Sequence, residues 1–79
     1  MIKVSIWQHL LHTEREFIKY LSNAGFKIPS DYKFESIWDD EDNCDGGKLI
    51  FDINKTDLPT LINAVKKFPV DFIQLDQLD

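Results

Sequence analysis

Tyr32-Lys33-Phe34-Glu35-Ser36-Ile37-Trp38 is the stretch on which the fold turns. Read with a period of two, Tyr32, Phe34, Ser36 and Trp38 fall on one side, and Lys33, Glu35 and Ile37 on the other. That is the signature of a strand. Read with helical spacing, Phe34, Ile37 and Trp38 stand at i, i+3 and i+4, which would suit a short helix within residues 32–42. The two readings give different sheets, so the segments on either side have to arbitrate.

Upstream, Pro29-Ser30-Asp31 reads as a turn. Before it, Thr13 and Glu16 make the S/T-x-x-E pattern of a capping box, in which each side chain satisfies a free backbone N–H. Phe17, Ile18, Leu21 and Ala24 follow at helical spacing, and Gly25 suits a left-handed residue after the helix end. A helix is expected over His12–Ala24. Ile2, Val4 and Ile6 alternate with Lys3, Ser5 and Trp7, a strand with one buried face, with Trp7 expected in the core at its end.

Downstream, Asp39–Gly47 has Cys44 as its one apolar residue and reads as a solvated loop. Leu49, Phe51 and Ile53 alternate with Ile50, Asp52 and Asn54, another strand. Thr56 or Asp57 is the expected cap of a second helix, with Pro59 tolerated in its first turn. Leu58, Leu61, Ile62, Val65 and Phe68 give that helix an apolar stripe. Lys66 and Lys67 complement its dipole and Pro69 ends it. Val70–Leu75 is expected to be the last strand, with residues 77–79 fraying.

With 32–38 as a strand the order is strand, helix, strand, strand, helix, strand. Two right-handed crossovers joined by a hairpin predict a ferredoxin-like α+β sandwich, a four-stranded antiparallel sheet with both helices on one face. The helical reading predicts three parallel strands instead. A resemblance goes with it. Pro29, Tyr32 and Glu35-Ser36-Ile37-Trp38-Asp39, followed by Leu49-Ile50-Phe51-Asp52, is similar to the central part of barstar-type ribonuclease inhibitors. In that family an acidic helix with a Trp-Asp pair plugs a nuclease active site. The resemblance implies a barstar-like three-stranded parallel α/β fold; the alternation favours the ferredoxin-like one.

Length and composition narrow the function. Seventy-nine residues with 43 % hydrophobic content make one globular domain, residues 1–79, without repeats or linkers. One cysteine cannot close an intrachain disulfide, which fits a reducing, cytoplasmic setting. The N-terminus lacks the apolar core of a signal peptide, and no run is apolar enough to span a bilayer.

The net charge of −5 disfavours nucleic acid and membranes as direct partners. It is also concentrated. Residues 31–47 hold Asp31, Glu35, Asp39, Asp40, Glu41, Asp42 and Asp45 against Lys33 alone, a net of −6.

Such a cluster invites metal or acid–base chemistry, and the details argue against both. Glu41, Asn43, Asp45, Gly46 and Asp52 shadow a calcium loop, yet the first position should be Asp and the twelfth Glu, with helices on both sides. His9, His12 and Glu16 could share a face for zinc only if the helix began early. Acid–base catalysis needs a dry concavity that shifts a carboxyl pKa, and this segment is solvated. Cys44 lies among acids that disfavour its thiolate. No enzyme activity, cofactor or metal is therefore expected.

What remains is docking. Asp39, Asp40, Asp42 and Asp45 are expected to pair with lysines and arginines, with Glu35 and Trp38 at the edge of the surface, because an aromatic anchor within a charged rim is typical of a binding hot spot. The expected partner is a basic protein surface of a nuclease or another nucleic-acid-binding protein, inhibited without any contact to nucleic acid itself. Antitoxins, nuclease immunity proteins and phage anti-defence proteins fit that description. The alternative is a regulatory ferredoxin-like domain that binds a small ligand or forms a homodimer through its sheet.

Overall fold

Period-two alternation becomes four strands and helical spacing becomes two helices, in the order β1 (Ile2–Gln8), α1 (Glu14–Asn23), β2 (Lys33–Trp38), β3 (Cys44–Ile53), α2 (Leu58–Lys67) and β4 (Phe72–Gln77). The computed structural model describes residues 1–10, 13–38, 41, 44–67 and 70–77, with the backbone alone at Cys44 and Asp45.

The strands form one sheet in the order β2-β3-β1-β4. All three neighbouring pairs are antiparallel. β1 and β2, joined through α1, therefore run the same way on either side of β3, as two interlocked crossovers require. This is a ferredoxin-like α+β fold. Residues 33–38 are a strand, so the three-stranded parallel, barstar-like alternative does not describe this chain.

One face of the sheet carries the core. Ile2, Val4 and Ile6 from β1 and Leu49, Phe51 and Ile53 from β3 are buried with Phe17 and Leu21 of α1 and Leu61 and Ala64 of α2. Phe34 of β2 reaches the same layer, its ring edge-on to Phe17 with centroids 5.9 Å apart. Both helices thus cover one face, and the described residues leave the other face open.

The helix ends explain where α1 sits. Thr13 accepts a hydrogen bond from the Glu16 N–H at 3.3 Å, and its hydroxyl donates to the Glu16 carboxylate at 3.0 Å. The two side chains therefore also bond to each other, a contact the capping-box pattern does not include. At the other end Gly25 takes φ +97°, Gly25 N–H donates to Ser22 O, and Phe26 N–H donates to Leu21 O. That is a Schellman ending, and it turns Phe26 into the core, where its ring lies 5.5 Å from that of Phe51. Thr13→Ala is expected to lower stability by about 1 kcal/mol in a urea titration, the usual cost of losing an N-cap oxygen.

Several features depart from the pattern-based expectation. β3 begins at Cys44, so the end of the expected loop is strand. Gly46 and Gly47 are buried there, and at Gly46 the backbone of Gln8 and His9 leaves no room for a β-carbon. Thr56 and Asp57 do not cap α2. They lie within a 3-10 turn, Lys55–Asp57, that runs straight into the helix, and Asp57 N–H bonds to Asn54 O. β4 starts two residues late. Asp71 N–H donates to Trp7 O, Val70 packs on the core, and pairing continues to Gln77, which faces Ile2. Finally, Trp7 is not core: it points to the open face and is 38 % exposed. α1 begins at Glu14, not at the expected His12, because Thr13 is extended and serves as its cap. The expected stop of α2 at Phe68 and Pro69 lies outside the described residues.

Candidate functional site

The acidic segment joins β2 to β3, so those two strands position whatever it does. Their pairing is regular from Lys33↔Ile50 to Ile37↔Gly46 and then shifts, with Trp38 opposite Cys44. Asp45 is the extra residue, which makes this a β-bulge. Bulges unpair one residue and re-aim the side chains around it. Gly46 adopts φ +120° at that point.

Glu35 lies on the open face, directly opposite Lys48 of β3, and is exposed. Trp38 ends the outer strand β2 and is 61 % exposed. A tryptophan so uncovered contributes little to the core and keeps most of its surface for contact with something else. The bulge brings Asp45 in the backbone next to the Trp38 pairing position. Asp39, Asp40 and Asp42 lie outside the described residues, as does the Asp45 side chain. Asp52, the last position of the calcium-like pattern, lies inside β3. No helix follows the segment as a calcium-binding helix–loop–helix would require.

The open face holds residues that the motif-based reading did not single out. Together with the already named Glu35, Ser5, Trp7, Ile37, Lys48, Phe72 and Gln74 line a groove of about 380 Å³. Trp7 and Phe72 are direct cross-strand partners. The signal was present in the alternation, since Trp7 falls between the buried positions of β1 and must face away from them. Phe72 could not be assigned a face until the start of β4 was known.

Two titratable contacts lie elsewhere. The carboxylate of Asp71 accepts a hydrogen bond from the His9 backbone N–H at 2.8 Å and a second contact from the His9 ring through Nδ1. Together they tie the entry to β4 to the end of β1. The His9 ring, followed by the backbone bond, holds the Asp71 carboxyl below its ordinary value. A lowered folded pKa contributes stability above the unfolded carboxyl pKa and loses it as pH falls through the folded one. Asp71→Asn is accordingly expected to lower the melting temperature at neutral pH. That difference should shrink as pH drops below the ordinary 3.8 and then vanish. On the helix side, the Tyr32 hydroxyl donates to Glu14, and this bond, ahead of burial, pushes the phenol up.

Among the described residues no three His, Cys, Asp or Glu side chains are grouped to hold a metal ion. No described helix is long and apolar enough to cross a membrane. Comparison with protein-family models and with curated proteins finds no match.

Proposed function

We propose that this chain is a small acidic binding protein, not an enzyme, that inhibits a nucleic-acid-processing protein by covering its basic surface. The observation that carries this reading is the exposure of Trp38, 61 %, on an edge strand that leads straight into the acidic segment. A large aromatic ring and a dense set of carboxylates, adjacent in sequence, combine an anchor with long-range attraction. Glu35, Trp38, Asp39, Asp40, Asp42 and Asp45 form the partner surface. The carboxylates pair with the lysines and arginines that the partner otherwise presents to phosphates, so inhibition is competitive with nucleic acid. Antitoxins, nuclease immunity proteins and anti-defence proteins of phages work at this level of description, in the cytoplasm and without a cofactor.

The test is affinity capture from nuclease-treated host extract, comparing the chain with a variant in which Asp39, Asp40, Asp42 and Asp45 are all Asn. A protein retained by the first and lost by the second is then purified. Its binding to an oligonucleotide is measured with increasing amounts of the chain. Competition supports the reading; a captured protein whose oligonucleotide binding is unaffected overturns it.

A further inference from the structure

The open face of the sheet has an ordered charge pattern that the acidic segment does not explain. Across the strands from β2 to β4, one row runs Glu35, Lys48, Trp7, Phe72 and the next Lys33, Ile50, Ser5, Gln74; a third sets Lys3 between Asp52 and Asp76. Within the strands the face balances three lysines against three acids, with Asp31 beside Lys3 and Lys33 at its margin, in a chain whose total is −5. Its apolar part is substantial: Trp7 is 38 % exposed, Phe72 53 %, and Ile37 lines the same groove. An uncovered aromatic patch on a sheet is a surface that normally meets another.

We infer that the face is covered by a second copy of this chain, in a two-fold dimer built by stacking the two open sheets. Three arguments select that occupant. A neutral face is where two molecules of −5 each can approach with least mutual repulsion. The alternation of signs is also self-complementary. A two-fold axis parallel to the strands lays β3 of each copy over β1 of the other. Asp52 then meets Lys3 of the second copy, and the Lys48 ammonium meets the ring of its Trp7, a cation–π pair made twice by symmetry.

Thirdly, the interleaved acids make the face a poor track for phosphates, although aromatic rings beside lysines can stack bases. Four strands about 4.8 Å apart and six residues of about 3.3 Å give a footprint near 400 Å² per copy. Total burial below about 1,200 Å² belongs to weak, reversible assemblies, so the dimer forms only as concentration rises. Stacking covers Glu35, whose share in partner binding is then confined to the monomer. The inference does not depend on the acidic segment, so either reading can fail without the other.

Sedimentation equilibrium on the full chain, from about 1 to about 500 µM, reads the outcome directly. The mass is expected to rise with concentration from 9.3 kDa towards twice that value. Trp7→Ala should raise the dissociation constant at least about tenfold, and its melting temperature reports whether the monomer is intact. Lys3→Asp and Asp52→Lys should each weaken self-association by placing like charges across the interface, and an equimolar mixture of the two should recover a dimer of mixed composition. That recovery does not follow from a merely structural role of either residue. A chain that stays monomeric throughout overturns the inference. So does a dimer that Trp7→Ala leaves unchanged, or a single-stranded oligonucleotide that binds the face with the tryptophan fluorescence quenched.

Discussion

Gly46→Ala is expected to cost this protein much of its stability, roughly 2–5 kcal/mol. A β-carbon at that position would stand 2.4 Å from Gln8 O and 2.5 Å from His9 Cα. Both are backbone atoms, so no side chain can swing aside. The positive φ of +120° adds a conformational cost of about 1–2 kcal/mol for any residue with a β-carbon, and the forced repacking adds about 1–3 kcal/mol. A domain of this size holds only about 4–12 kcal/mol in total. The melting temperature should therefore fall by about 8 °C or more, since each 1 kcal/mol is about 4–8 °C here. Gly25→Ala is the control. It also has a positive φ, +97°, but nothing lies within 4 Å of the added carbon. It should cost only about 1 kcal/mol of conformational strain. Equal effects from the two substitutions would mean that the close approach of β3 to the end of β1 is not what the glycine serves.

Gly46 also marks where sequence reading stops being informative. Strand signals come from side chains that alternate between oil and water. Two consecutive glycines have none, so a strand that must pass close to its neighbour looks like a loop in the sequence, and β3 was legible only from Leu49 onward. The decisive stretch 32–38 was legible because its apolar residues separate into different environments. Phe34 packs on Phe17, Ile37 lines the open face, and Trp38 is exposed at the edge. A helix would have needed the three on one stripe.

Trp7 was misread for the opposite reason. Its size suggested burial, whereas its place in the alternation assigned it to the open face, and the geometry of the strand outweighed hydrophobicity. At the entry to β4, Asp71 N–H bonds to Trp7 O, a contact that no local pattern announces. The proposed partner surface was legible as composition, through the clustering of acids. The bulge that sets Asp45 beside Trp38 depends on register, and register is a property of two strands together.

With that geometry, the two parts of the proposed partner surface should fail in different ways. Replacing Asp39, Asp40, Asp42 and Asp45 by Asn leaves size and shape nearly unchanged and removes four negative charges. Charge steering raises association rates by about 10- to 1,000-fold in strongly complementary pairs. The quadruple variant should therefore associate with the captured partner at least about tenfold more slowly. The unmodified chain should lose the same advantage between about 50 and about 500 mM salt, as the Debye length shrinks to a few ångströms.

Trp38→Ala should act on the other rate. A desolvated tryptophan anchor is worth about 2 kcal/mol or more, so the complex should dissociate about 30-fold faster with little change in association. Because Trp38 is 61 % exposed in the free chain, its removal should alter folding stability by no more than about 0.5 kcal/mol. A urea titration alongside the surface-plasmon trace tests that condition. If Trp38→Ala instead destabilises the fold by several kcal/mol, the ring belongs to the core and cannot be the anchor. If the four asparagines leave both rates and the salt dependence unchanged, the acidic segment is a solubilising loop and the inhibitor reading falls with it.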